Sequence, residues 1–352
     1  MVSFLFGVTN LFLALSSSSM EEQRMIGTDQ YSNLLNWLNT TFPTSYVSSS
    51  IDLLPSPRGG HGAFATEDIE KGTLLFSIPR EACITSSTVL KDEDCGTAFQ
   101  TLIDKAGPGA FTVSLAGYLT KEYLCHLEKG NSPFGPYLET LPWKRGMNGQ
   151  EHVLFWSQDE VEEYLKESFC WRESNDLRME VQVAKQVLNA VIGPSILLAR
   201  GDMEEQKPLI PGLAFTKPPL PKVIDPVYGL GKALSGAFVI LLTRAFADEY
   251  DTLIQSGEEA ERLIPLLDML NHDNQPSITY ATNPQTGAVE VKARHDITQG
   301  NEIYNRYREE EEMNMPYHRF FSRFGFVPGI TEDVKNLLLD KSSVFFAKRE
   351  EI

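Results

Sequence analysis

Four short stretches hold the residues best suited to chemistry. In "LLDMLNHD" an apolar run, Leu266, Leu267, Met269 and Leu270, breaks into Asn271, His272, Asp273 and Asn274. An amide beside an imidazole can read the edge of a heterocycle or form half of a metal site; a turn or helix cap is the plain alternative. "LLTRAF" sets Arg244 inside an apolar helical run. A buried guanidinium needs an anion, and a carboxylate fits its fork, whether it comes from a ligand or from an internal Asp or Glu. "RGGHGAF" brings Gly59, Gly60, His61, Gly62 and Ala63 before a strand. Such glycines let backbone approach a ligand closely, or simply turn the chain. "IYNRY" ends a strand with Tyr304 and Tyr307, whose hydroxyls either face a site or stay wet beside sheet packing.

Other chemistries find little support. No G-x-S-x-G or Walker A pattern is present, and "GLGKALSG" has Leu234 where a dinucleotide fingerprint needs its third glycine. The six histidines are scattered, none paired at zinc spacing. The four cysteines, Cys83, Cys95, Cys125 and Cys170, form no C-x-x-C, so neither zinc nor a disulfide framework is expected.

These stretches need elements to position them. "DQYSNLLNWLNTTF" has helical spacing. "AFATEDIEKGTLLFSIP" reads as strand, turn at Lys71-Gly72, strand, and "VKARHDITQGNEIYNRY" echoes it, with Ala65, Asp68, Ile69, Gly72, Leu75 and Phe76 matching Ala293, Asp296, Ile297, Gly300, Ile303 and Tyr304. The same small β unit is used twice. Between them the chain reads as helical. "FTVSLAGYLTKEYLCHLEKG" has a broad apolar face, Ser157 and Glu160 form a capping box, and a long helix follows from Asp176 with a break expected at Gly193-Pro194. Residues 207–225 are proline-rich and read as an extended connection. "GKALSGAFVILLTRAFADEYDTLI" reads as one buried helix, and 276–293 as a hairpin turning at Asn283 to Gly287. The class is α+β: a β domain split by a helical insert.

The chain has 352 residues, 42% hydrophobic and 22% charged, with a net charge of -17. The estimated pI is 4.8. So acidic a chain lacks the basic face that nucleic acid requires, and a basic protein or peptide suits it better; solubility is the simpler reason for the charge. Phe4 to Leu15 form an apolar run too short to span a bilayer, with no Lys or Arg before it. It reads either as a targeting segment within 1–28 or as sequence upstream of a start at Met20 or Met25.

Taken in order, "RGGHGAFATEDIEKGTLLFSIPR", "NSPFGPYLETLPW" with "WSQDEVEEYL", "TRAF", "PLLDMLNH", "GNEIYNRY" and "FSRFGFVP" resemble a SET-domain methyltransferase. The type is the one with a helical insert, represented by the Rubisco large-subunit lysine methyltransferase, and the resemblance runs from about Tyr31 to Pro328. It implies a β-rich fold with a pseudoknot near the Asn-His motif, S-adenosylmethionine (SAM) as cofactor and a non-histone protein lysine as acceptor, with histidine an alternative acceptor. A catalytically weak, partner-binding SET fold is the alternative of another class. The resemblance places a helix at 29–45, SET halves at 46–112 and 226–328 and the insert at 113–225. By residue match, Gly60, His61, Gly62 and Ala63 line the methionine moiety, Arg244 meets its carboxylate, and Asn271 and His272 contact the amino-acid portion and the adenine. Tyr307 is the active-site tyrosine, with Asp268, Tyr304 and Phe324 around the substrate pocket. No metal, nucleic acid or membrane span is implied. A monomer in the cytoplasm, nucleus or plastid fits.

Three departures accompany the resemblance. The family's YGF is here Phe324-Gly325-Phe326, which removes one pocket hydroxyl and points to di- or trimethyl product. Glu309 to Glu312 make the following link long and acidic, a solvated run or a lure for basic substrate. After Pro328 comes a short tail, 329–352, where relatives continue into a helical substrate-binding domain.

Overall fold

The computed structural model describes residues 30–107, 109–200, 229–248, 260–307 and 316–327. The apolar N-terminal run, the proline-rich connection, Glu309 to Glu312 and the tail lie outside them. Three small antiparallel sheets surround the four stretches. The first runs β1 (Tyr46–Val47), β4 (Leu74–Ile78), β9 (Val289–Ala293), β8 (Ile278–Thr282). The second has β3 (His61–Ala65) between β10 (Glu302–Ile303) and β2 (Ile51–Pro55), and the third has β7 (Glu261–Leu263) between β5 (Ile84–Thr85) and β6 (Phe246–Ala247).

The two β units dock on each other reciprocally. Ile69 and Ile297 exchange N–H···O bonds of 2.8 Å in both directions. Gly72 N–H donates to Ala293 O, and Gly300 N–H to Ala65 O. Asp296 Oδ1 accepts from Lys71 N–H, and Asp68 Oδ1 from Gln299 N–H, each at 2.8 Å. The repeated Asp, Ile and Gly are therefore a matched set of contacts across a pseudo-twofold.

Residues 30–41 form α1. The helices α2 (Ser86–Leu90), α3 (Gly96–Ala106), α4 (Ala110–Lys129), α5 (Gly135–Leu138), α6 (Gln158–Leu165) and α7 (Phe169–Arg200) come between the two β units. Ser157 caps α6 with the expected box. The α7 helix begins earlier than Asp176 and runs unbroken through Pro194. Ile192 and Ile196 on either side are fully buried in the core, and this burial outweighs the lost proline N–H. The buried helix predicted over 231–254 ends sooner: α8 (Leu230–Arg244) stops at Arg244, because Phe246 and Ala247 pair with Arg262 and Glu261. The hairpin turns as predicted, with Gly287 N–H donating to Asn283 O. The last described helix, α9 (Tyr317–Phe324), packs on α7. One hydrophobic core joins α1, the sheets, α4, α7 and α8. No described helix is long and apolar enough to cross a membrane.

Candidate active site

Sheet β10-β3-β2, the end of α8 and the turn at Leu267–Met269 meet at one place. Arg244, last residue of α8, donates from Nη1 to the Asp268 carbonyl at 2.8 Å and lies 3.7 Å from its carboxylate. Thus the internal alternative for Arg244 is partly realised. Asp268 Oδ2 accepts the Tyr137 hydroxyl at 2.8 Å. Its Oδ1 is buried without a hydrogen-bond partner among the described residues. Burial pushes the Asp268 carboxyl up to about 6, against the opposing pull of Arg244 and Tyr137. Just before this turn Leu266 holds φ 72, a left-handed backbone rarely adopted by leucine. Local strain thus sits beside the Asn-His motif.

The motif itself is gripped from both sides. Asn271 Nδ2 donates to Glu302 Oε1 at 2.7 Å. Asn305 N–H donates to Asn271 O and Asp273 N–H to Asn305 O, and His272 bridges Asn305 in parallel. His272 Nδ1 accepts the Tyr307 N–H at 3.1 Å. The glycine loop lies against this segment. A Cβ on Gly62 would collide with Glu302 Oε1 and come within 3.2 Å of Asn271 Nδ2. Gly60, at φ +64, would collide with the Asn148 carbonyl. His61 stacks near Tyr31, centroids 4.1 Å apart, and burial lowers its pKa. His61, Gly62 and Ala63 already belong to β3, with Gly62 opposite Leu54 and Ala63 held between Leu53 and Ile303.

Tyr307 stands in an aromatic group. Its ring is 5.3 Å from His272 and 5.4 Å from Phe324, and Phe324 is 4.6 Å from Phe320. Phe326 completes the group, 6.3 Å from Tyr307. Burial pushes the Tyr307 hydroxyl up to about 12, with Arg244 lowering it and Asp268 and Glu302 raising it. The Tyr304 hydroxyl donates to Glu302 Oε2 at 3.1 Å, and its ring lies 4.1 Å under the Arg58 guanidinium.

Residues 60–308, well over half the chain, match the SET domain family. The chain belongs to the SET-domain family. Ribosomal lysine N-methyltransferase 4 of Saccharomyces cerevisiae is 26% identical over 325 residues, covering 88% of this chain and 58% of the relative. Among solved structures, the SET domain of LSMT bound to lysine and AdoHcy aligns with TM-score 0.59 at 15% identity, over 85% of this chain and 57% of that one. Rubisco LSMT bound to AdoMet gives TM-score 0.59 at 16% identity, over the same shares. At such identities the likeness is one of fold. The chain spans less than three-fifths of the length of these relatives.

Several residues of this SET domain escaped the sequence reading. Glu302 is buried and holds Asn271, Tyr304 and, at 2.9 Å, the Ser56 hydroxyl. Arg58 donates to the His272 carbonyl and pairs with Asp273 at 2.7 Å. His152, buried, bonds through Nε2 to Ser322 O at 2.8 Å and so anchors α9; burial lowers its pKa to about 4, keeping it neutral. Among the described residues no group of three or more His, Cys, Asp or Glu could hold a metal ion.

Proposed function

We propose that this SET domain is a SAM-dependent protein-lysine N-methyltransferase acting on a non-histone protein. The observation that carries the reading is the bond between His272 Nδ1 and the Tyr307 amide, which joins the Asn-His motif to the aromatic group. The division into SET halves at 46–112 and 226–328 around an insert at 113–225 belongs to the same reading, as do the site roles that follow. Relatives support it, since one is a lysine N-methyltransferase by name and another was solved with AdoMet.

The residues fit the cofactor. Asp268 Oδ1 and Asn305 Nδ2 are buried polar atoms without partners among the described residues, which a polar ligand can satisfy. When bound, SAM would supply a sulfonium methyl group to a neutral lysine amine, the S–C bond breaking as the N–C bond forms, with S-adenosylhomocysteine as the leaving group. Arg244 would hold its carboxylate, and Asn271 and His272 would contact the amino-acid portion and the adenine. Tyr307, Phe320, Phe324 and Phe326 form an apolar aromatic wall. Free lysine titrates near ~10.4, and such a wall disfavours its ammonium, which aids loss of the proton. The raised Tyr307 hydroxyl stays protonated at neutral pH, so it orients the amine instead of taking a proton. Its oxygen can also hold the methyl by weak C–H···O contact. Catalysis then rests mainly on alignment.

Calorimetry with SAM tests the reading. The intact chain should bind, Arg244→Ala should bind about tenfold more weakly, and Tyr307→Phe should bind nearly as well while slowing transfer. No binding heat with the intact chain would sink the enzyme reading. Binding without transfer to any protein would favour the partner-binding alternative.

A further inference from the structure

One stretch between the two β units, residues 137–152, reaches the candidate site on three sides. At its centre Asn148 holds φ 52 and ψ 34, left-handed backbone within a tight turn from Gly146 to Gln150. Asparagine tolerates this region better than most side chains, and here both ends of its amide are engaged. Oδ1 accepts the Tyr31 hydroxyl at 2.7 Å, and Nδ2 donates to the Thr140 carbonyl. Tyr31, buried in α1, sets its ring 4.1 Å from that of His61. Backbone also meets backbone here. A Cβ on Gly60 would stand 2.3 Å from the Asn148 carbonyl oxygen, and one on Gly149, at φ +71, would stand 2.7 Å from the Gly60 nitrogen. The turn and the glycine loop approach so closely because neither has a side chain between them. In one direction the stretch continues to the aromatic group: a Cβ on Gly325, between Phe324 and Phe326, would stand 2.8 Å from Gln150 Oε1. In the other, Thr140 Oγ1 donates to the Tyr137 carbonyl at 2.7 Å, and the Tyr137 hydroxyl donates to Asp268.

We infer that Asn148 is a positioning residue for the cofactor, with Tyr31 as its partner. It acts through the glycine loop and not on the reacting atoms. Its carbonyl backs Gly60, and its amide fixes Tyr31, whose ring backs His61. Glycines alone leave a loop many conformations. A loop held from behind by backbone and ring keeps its shape before the ligand arrives, so less ordering remains to weaken binding. The Tyr31 and Thr140 bonds in turn hold Asn148 in a left-handed conformation that it would otherwise leave. The inference rests on the methyltransferase reading for the identity of the ligand.

Two variants act on the one bond. Tyr31→Phe removes only the hydroxyl and keeps the ring beside His61. Asn148→Gly keeps the positive φ accessible and removes both amide bonds. Calorimetry with SAM, on chains that circular dichroism shows to be folded, should give about fivefold weaker binding for Tyr31→Phe and about tenfold or more for Asn148→Gly. The double variant should match Asn148→Gly to within about twofold, because both substitutions break the same bond. Hydrogen exchange without cofactor should quicken over residues 56–63 in each variant, while peptides covering residues 278–293 keep their rates. Folded variants that bind SAM as tightly as the intact chain overturn the inference. So do losses that multiply in the double variant, and so does exchange that quickens equally throughout the chain. An intact chain that binds no SAM overturns the methyltransferase reading, and the exchange rates then decide whether Asn148 positions the loop.

Discussion

His272 accepts the Tyr307 backbone N–H on Nδ1, at 3.1 Å, across 35 residues of sequence. The bond requires Nδ1 to be unprotonated, which fixes the imidazole orientation beside the Tyr307 ring. His272→Ala leaves a half-buried N–H without its acceptor, at a cost of about 1 kcal/mol. SAM binding should weaken by roughly tenfold or more, while circular dichroism still reports a folded chain. Unchanged affinity would show that the bond does not position the site.

The glycine loop gives a prediction from packing. Gly60→Ala forces a side chain onto φ +64 and into the Asn148 carbonyl, which is backbone and cannot swing away. Gly62→Ala displaces Glu302, a side chain that can move only by releasing Asn271, Tyr304 and Ser56. Each should lower stability by about 1–3 kcal/mol in urea denaturation. Gly62→Ala should also weaken SAM binding, because Asn271 loses its acceptor. A Gly62→Ala chain with intact affinity contradicts that role.

Asp268 sets a pH dependence. Its carboxyl is raised from the ordinary 3.8 to about 6, chiefly by burial, with Arg244 and Tyr137 opposing. Below about pH 4 the folded and unfolded chains both carry this proton, and no penalty exists. Between about pH 4 and 6 the unfolded chain releases the proton while the folded chain keeps it, so stability falls as pH rises. The full penalty, about 3 kcal/mol at most, is present above about pH 6. Asp268→Asn keeps an acceptor for Tyr137 and removes the titration. Its stability relative to the natural chain should therefore rise from about pH 4 to neutrality in chemical denaturation. A constant difference across that window contradicts the assignment.

Phe324 bears on product state. Its ring faces Tyr307 at 5.4 Å without a hydroxyl of its own. Phe324→Tyr adds a polar group that can hold the amine through hydrogen bonding and crowd further methyl groups. Mass spectrometry should show di- or trimethyl product from the natural chain and a shift towards monomethyl from the variant. Only monomethyl product from both would refute it.

Parts of this arrangement were legible in the sequence because their causes are local. The Ser157–Glu160 box spans one helical turn, and the hairpin at Asn283 to Gly287 closes on itself. The echo of Asp68 in Asp296 was visible as a repeat, but its use, two copies docked face to face, depends on tertiary contact. Proline chemistry misled at Pro194, where core burial of Ile192 and Ile196 carries the helix through. Arg244 was read as needing a carboxylate, and the fold supplies Asp268 in addition to any ligand. Glu302, Arg58 and Tyr137 could not be found by spacing, since their partners lie 31, 215 and 131 residues away. Asn271 and His272 were identified by residue type and motif, and what grips them became visible only in the folded chain.

The most direct test uses SAM carrying a deuterated methyl group, cell extract and this chain, with the labelled residue mapped by mass spectrometry. The account predicts label on the side-chain nitrogen of lysine in a protein, reduced by about a hundredfold or more with Tyr307→Phe. Label on histidine, or no labelled protein residue at all, would contradict it.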